Sequence, residues 1–211
     1  MRSKIRIESK REKPIDFLAK VILIIEGKLA VPADFMQPDY KSPFNIISML
    51  QSSSDLQTLL SDLETFLTVA KRGPPRTFQS YWTSLATLCT LELDKKLKSE
   101  ALSSSEDHAS LLKQTERDED LERDAEEMIL GKDLGELLEL KGEIESTLAA
   151  DRSMALELQY WSNVLKKIDE RIAKTRIESI YTEYLNANRE KVMAEIKQAE
   201  AKKRSKDDGS N

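Results

Sequence analysis

The stretches FQSYWTSLATLCTL (78–91) and ELQYWSNVLKKIDE (157–170) contain the two tryptophans of the chain, and each tryptophan directly follows a tyrosine. Apolar residues recur behind each pair at helical spacing: Leu85, Cys89 and Leu93 after Trp82, and Val164, Ile168 and Ile172 after Trp161. This period is typical of a helix with one buried face. The sequence therefore predicts two long helices, each beginning near a Tyr-Trp pair.

A second motif precedes each Tyr-Trp pair at nearly the same distance. Asp-Leu-x-x-Leu-Leu occurs at 55–60 and again at 133–138, an offset of 78, and the Tyr-Trp pairs are offset by 79. Two copies of a helical hairpin, each a leucine-faced helix followed by a Tyr-Trp helix, explain both offsets. We expect Trp82 and Trp161 to anchor the hairpins, together with the less buried Tyr81 and Tyr160.

The composition limits the fold class and the compartment. The 211 residues include only six glycines, with 34% charged and 6% aromatic residues, which favours an all-α protein. The longest apolar run, at 21–25, is too short to cross a bilayer. One cysteine cannot form an internal disulfide, so a reducing compartment is expected.

The N-terminal part predicts a buried helix and then an extended strap. In KPIDFLAKVILIIEG (13–27), Pro14 suits a first helical turn and Gly27 a stop. Pro14 and Asp16 are the predicted structural anchors of this helix. The strap, at 29–44, contains three prolines, and its large side chains are the candidate partner-binding residues: Phe35, Met36, Tyr40 and Phe44.

Charge is concentrated in separate segments, and these suggest the domain limits. Residues 103–124 contain eight acidic and three basic residues, whereas both ends of the chain are basic. The predicted organisation is a basic N-terminal lead (1–13), a helical half with strap and first hairpin (14–102), an acidic linker (103–131), a second hairpin with a long charged C-terminal helix (132–203) and a disordered tail (204–211).

No residue pattern indicates catalysis. The single histidine, His108, lies in the acidic linker, where a solvated side chain is expected rather than a general base. Cys89 lies on an apolar stripe, which favours a small buried residue over a nucleophile. Phosphate-binding glycine loops and metal-ligand spacings are absent from the sequence. We therefore predict no enzymatic activity, no cofactor, no metal and no small-molecule substrate.

Four segments resemble the central domain of cactin proteins: REKPIDFLAK (11–20), DLQTLLSDLETFL (55–67), YWTSLATLCTLELDKKL (81–97) and YWSNVLKKIDERIAKTR (160–176). The resemblance implies an all-helical domain of a nuclear protein that associates with the spliceosome in pre-mRNA splicing. The chain departs from the family pattern at Ser48-Met49-Leu50 and at Tyr181, as a divergent member does. Family members carry a further C-terminal domain, so this chain is expected to be a fragment.

Two classes of function are consistent with these features. The first is a scaffold that binds spliceosomal proteins, or, in a variant implied by an insect branch of the family, an IκB-like inhibitor. The second is an RNA-binding module that uses the basic residues of the last helix: Lys166, Lys167, Arg171, Lys174 and Arg176. Acidic residues interleaved with these bases weaken a continuous positive stripe. We therefore expect protein partners, at most weak or indirect RNA contact, and no membrane.

Overall fold

The computed structural model of the chain describes residues 2–29, 42–70, 76–104, 120–150 and 155–207. All regular structure in these ranges is helical, with no strand, so the predicted all-α fold is confirmed. The helices are α1 (Arg2–Glu8), α2 (Pro14–Ile25), α3 (Pro43–Ser48), α4 (Ser53–Ala70), α5 (Arg76–Ser104), α6 (120–129), α7 (Leu134–Ala150) and α8 (Ala155–Asp207).

The chain forms two compact units that the predicted limits at 102 and 132 do not reproduce. Unit 1 comprises Met1–Ile46 and Glu178–Asn211, and unit 2 comprises Ile47–Ile177. The first hairpin, α7 and residues 155–177 of α8 therefore lie in unit 2, whereas α1, α2 and residues 178–207 of α8 belong to unit 1. The two ends of the chain are grouped in one unit because of tertiary contacts, and the distribution of charged residues along the sequence does not predict such contacts.

Helix α2 lies in unit 1, and its ends are set by local chemistry. Pro14 occupies the first turn, where its missing N–H leaves no hydrogen bond unmade. Gly27 follows the helix at φ +69°, and the Lys28 N–H donates to the Leu23 carbonyl oxygen at 2.8 Å. This left-handed stop favours glycine. The helix buries most of its circumference: Ile15, Asp16, Leu18, Ala19, Val21, Ile22 and Ile24.

In unit 2, α4 and α5 form the first hairpin. Leu56, Leu59 and Leu63 of α4 are buried, as the leucine-faced pattern predicts. Trp82 is 4% exposed, and its ring centroid lies 4.7 Å from that of Phe66 on α4. The aromatic contact therefore joins the two helices of the hairpin.

The second hairpin shares its core with a helix that the sequence analysis assigned to the acidic linker. Ala125 and Ile129 of α6 are buried in one cluster with residues of α7 and α8: Leu137, Ile144, Val164, Ile168 and Ile172. Residues 120–129, which the sequence analysis placed within the acidic linker, therefore form a helix that contributes to this core. Apolar side chains spaced along α6 supply a buried face, which the acidic residues between them obscured.

The tyrosines differ from their expected exposure. Tyr81 is fully buried and Trp82 nearly so, whereas Tyr160 and Trp161 are both half-buried. The ranking of Tyr81 below Trp82 in burial was wrong because α5 buries two adjacent lines of side chains. One line is Trp82, Cys89 and Leu93, and the other is Tyr81, Leu85 and Leu88. The Tyr-Trp contact is edge-to-face in both copies of the repeat. The two pairs differ in burial, since the first is buried and the second is half-buried.

The N-terminal lead contains the helix α1, in which Ser3 is buried and Arg6 pairs with Asp16 of α2. Two other segments differ from expectation. Pro43 and Phe44, which were predicted to belong to the strap, lie in α3, and residues 30–41 of the predicted strap lie outside the described residues. Helix α8 continues through 204–207, which the sequence analysis placed in the tail. Residues 208–211 lie outside the described residues.

Candidate functional site

The described residues contain no arrangement suited to metal binding and no bilayer-length apolar helix. No group of three or more His, Cys, Asp or Glu side chains there could hold a metal ion, and no helix combines the length and hydropathy to cross a membrane. Cys89 is buried, and its Sγ donates to the Leu56 carbonyl oxygen at 3.5 Å. Burial, with a smaller effect of the Glu92 charge, raises the pKa of the Cys89 thiol to about 11. The thiol is therefore protonated at neutral pH and weakly nucleophilic.

His108 and three of the four candidate partner-binding residues, Phe35, Met36 and Tyr40, lie outside the described residues. The fourth, Phe44, is half-buried on α3.

Asp16 connects α1 to α2 through a fully buried carboxylate. The Arg6 guanidinium donates to it from two nitrogens, at 2.7 and 2.6 Å, and the Lys13 backbone N–H donates at 2.9 Å. Burial alone would raise the pKa of Asp16, but the hydrogen bonds from Arg6, Lys13 and Ser3 outweigh it and hold the pKa below its ordinary value. Asp16 is therefore ionised at neutral pH and holds α1 in place.

A groove in unit 2, which we call the α8 groove, combines two neighbouring cavities of about 230 and 60 Å³. It is formed by one face of α8 with parts of α5 and α6. Helix α8 contributes Asn163, Lys166, Lys167, Glu170, Arg171 and Lys174. Helix α5 contributes Leu91, Asp94, Lys95 and Lys98, and the α6 segment contributes Glu122, Glu126, Ile129 and Leu130.

Lys167 is the most enclosed charge of the α8 groove and is paired with two carboxylates of α6. Its Nζ lies 2.9 Å from Glu122 Oε2 and 3.0 Å from Glu126 Oε1. Burial would lower the pKa of Lys167, but the two carboxylates outweigh it and raise the pKa above its ordinary value. The charge of Lys167 is therefore fixed and already neutralised within the chain.

Glu170 has the corresponding role for the basic residues on either side of it. Its Oε1 lies 2.8 Å from Lys174 Nζ and 3.8 Å from Lys95 Nζ on α5. Burial opposes ionisation of Glu170, but the pair with Lys174 and the charge of Lys95 hold its pKa below the ordinary value. The Lys95–Glu170 pair links α5 to α8, and the Glu170–Lys174 pair lies within α8.

The five basic residues considered for RNA binding therefore do not form a uniform positive stripe. Lys167 and Lys174 are paired with glutamates, as described above. Lys166 and Arg171 are exposed and make no ion pair among the residues that the structure describes. Arg176 is half-buried. Positive charge available to a partner is thus concentrated at Lys166 and Arg171.

Sequence reasoning missed the contribution of α6 to this surface. Leu121, Ala125 and Met128 recur at a helical spacing, which was the available signal. Glu122 and Glu126 are likewise one turn apart, and Lys167 of α8 reaches both of them. The acidic composition of the segment hid this pattern.

The helices described above match the central region of a known family. A family model for the conserved mid region of cactin matches residues 1–181. The splicing factor Cactin of Arabidopsis thaliana is 27% identical over 88% of this chain and 31% of its own length. The human splicing factor Cactin is 25% identical over 88% of this chain and 22% of its own length.

The splicing factor Cactin of Drosophila melanogaster is 25% identical over 84% of this chain and 23% of its own length. The chain thus spans less than a third of each of these relatives. No solved structure matches the chain. Since the match to the cactin mid region covers most of the sequence and includes the N-terminal helices and both hairpins, the chain belongs to the cactin family.

Proposed function

We propose that the chain is a non-catalytic scaffold that binds spliceosomal proteins in the nucleus and thereby acts in pre-mRNA splicing. Its relatives in plants, insects and vertebrates carry the name splicing factor, which supports a role in splicing. The observation that carries the scaffold role is the α8 groove, where exposed charges and an exposed leucine border paired charges. A surface of this mixed character is typical of a protein–protein interface rim.

A second surface belongs to the same proposal and lies near the N-terminus. Phe35, Met36, Tyr40 and Phe44 remain its candidate partner-binding residues. Phe44 is half-buried, which leaves part of its ring exposed to a partner. The Trp, Tyr, Pro14 and Asp16 anchors are proposed to hold the helices that present both surfaces.

RNA binding is the second candidate function, and the exposed Lys166 and Arg171 favour it. Two features oppose it. Glu122 and Glu126 pair with Lys167, and Glu170 pairs with Lys174, so two of the five basic residues are already occupied and are not available to phosphates. No aromatic side chain is among the residues that line the two described cavities, so stacking of bases is not provided there.

Affinity capture tests the scaffold role. Immobilised chain, incubated with nuclease-treated nuclear extract, should retain splicing proteins, because protein contacts survive removal of RNA. Mass spectrometry would measure the enrichment over an unrelated helical protein. A variant with Lys13→Glu and Lys28→Glu, both exposed, should lose part of this set if the N-terminal surface is used. Its charge-matched control is Arg189→Glu with Lys191→Glu, also exposed.

If nuclease treatment abolishes the capture of every splicing protein, RNA mediates the association and the scaffold role is wrong. If the Lys13 and Lys28 variant retains every protein that the intact chain retains, the N-terminal placement of the binding surface is wrong.

A further inference from the structure

We infer that the α8 groove binds an acidic amphipathic helix of a partner protein, with carboxylates at Lys166 and Arg171 and an apolar side chain at Leu130. This inference rests on the proposed scaffold function and names the chemistry of one partner segment. It follows from the length of the groove, its balance of charge and the exposure of one leucine.

The dimensions of the groove suit a short helix. Its α8 wall extends from Asn163 to Lys174, which corresponds to about 16 Å of helix axis at 1.5 Å per residue. A partner helix of about three turns has the same length. Lys167 and Glu170 border both cavities, so the two form a continuous feature of the surface.

The charge of the groove is complementary to an acidic segment. Six basic residues and four acidic residues line it, in a chain whose formal charge is −5. The acidic residues are largely occupied, since Glu122 and Glu126 pair with Lys167 and Glu170 pairs with Lys174. The exposed Lys166 and Arg171 provide the excess. Carboxylates of a partner would complete the pairing that the chain itself leaves open at these two positions.

Leu130 supplies an apolar contact at the rim. Its side chain is 82% exposed, more than any other large hydrophobic side chain of the described residues, and it lines the larger cavity beside Ile129. The adjacent Gly131 has a φ of +75°, so the chain turns sharply immediately after Leu130. An amphipathic helix could cover this leucine with its apolar face while its acidic face meets the basic residues.

A peptide titration with the full 211-residue chain tests the inference. The probe is a fluorescein-labelled peptide of about three helical turns, with glutamates on one face and leucines on the other. We expect saturable binding by fluorescence anisotropy. Lys166→Glu with Arg171→Glu should weaken it at least about tenfold, because attraction becomes repulsion at two positions. Leu130→Gln should weaken it several-fold.

The control for charge is Arg189→Glu with Lys191→Glu, which changes net charge equally on the same helix outside the groove and should leave the affinity unchanged. All variants change exposed side chains, and circular dichroism would verify that they fold. Equal affinity of the groove variant and this control, or absence of saturable binding to the intact chain, overturns the inference. Tighter binding of a labelled oligouridine than of the peptide also overturns it and favours RNA.

Failure of this inference is distinguishable from failure of the scaffold function. If the peptide does not bind but the intact chain still captures splicing proteins from nuclease-treated extract, the groove assignment is wrong and the scaffold function stands.

Discussion

Replacing Trp82 with alanine should lower the free energy of unfolding by about 3–5 kcal/mol, the largest loss expected from a single side chain in unit 2. Trp82 is 4% exposed and contacts the rings of Phe66 and Tyr81, with centroids 4.7 and 5.2 Å away. The truncation would remove this buried area and leave a cavity between α4 and α5. Urea denaturation, followed by circular dichroism at 222 nm, a common wavelength for helix content, would measure the loss.

Trp161→Ala is the matched comparison, since both tryptophans follow a tyrosine on a long helix. Trp161 is only half-buried, so its truncation should cost less, about 1–3 kcal/mol. If the two variants lose equal stability, the inference that Trp82 is more deeply buried than Trp161 is wrong. Near-neutral stability of Trp82→Ala would contradict its placement in the core.

Replacing Asp16 with alanine should destabilise unit 1 by about 2–4 kcal/mol, because it removes a fully buried carboxylate that accepts hydrogen bonds from the partly exposed Arg6 guanidinium and the Lys13 N–H. The Asp16 carboxylate is fully buried and accepts hydrogen bonds from the Arg6 side chain and the Lys13 backbone. Arg11→Ala removes an exposed arginine of the same region and is the control. Thermal unfolding of the three proteins would measure the difference.

The same carboxylate predicts a dependence of stability on pH. Its pKa in the folded chain lies below the ordinary value, so the unfolded chain binds the proton more readily. The stabilisation is therefore fully present above the pKa of an unfolded aspartate, about 3.9, and is lost as pH falls through the lower folded value. The stability of Asp16→Ala should lack the part of the pH dependence that comes from this carboxylate. The difference in the free energy of unfolding between the wild type and the variant should therefore shrink as the pH falls below the folded pKa of Asp16. A difference that stays constant from neutral pH to below this pKa would contradict the buried pair.

Local features of the chain were predictable because their causes are local. Pro14 and Gly27 delimit α2 in the sequence as they do in the structure. The spacing of the leucines along α4 was sufficient to predict which face of the helix is buried. The Asp-Leu-x-x-Leu-Leu repeat located both hairpins, although its two aspartates differ in role. Asp133 precedes α7 and exchanges hydrogen bonds with Glu136, whereas Asp55 lies inside α4 and receives a hydrogen bond from Ser52.

Features that depend on distant partners were not predictable in this way. Nothing adjacent to Arg6 in the sequence distinguishes it from Arg11, yet only Arg6 has Asp16 within reach of its guanidinium among the described residues. Burial of Tyr81 depends on how wide a face of α5 its neighbours cover. The α8 groove likewise requires Lys167 to meet Glu122 and Glu126, more than forty residues away in sequence.

The most direct measurement is splicing itself. A reporter pre-mRNA would be incubated in splicing-competent nuclear extract with increasing amounts of the chain, and the spliced product quantified. The chain in excess should occupy the surfaces that the cactin protein of the extract needs, so the spliced product should fall with dose while an unrelated helical protein has no effect. Unchanged splicing at a large excess of folded chain would contradict a role in binding spliceosomal proteins.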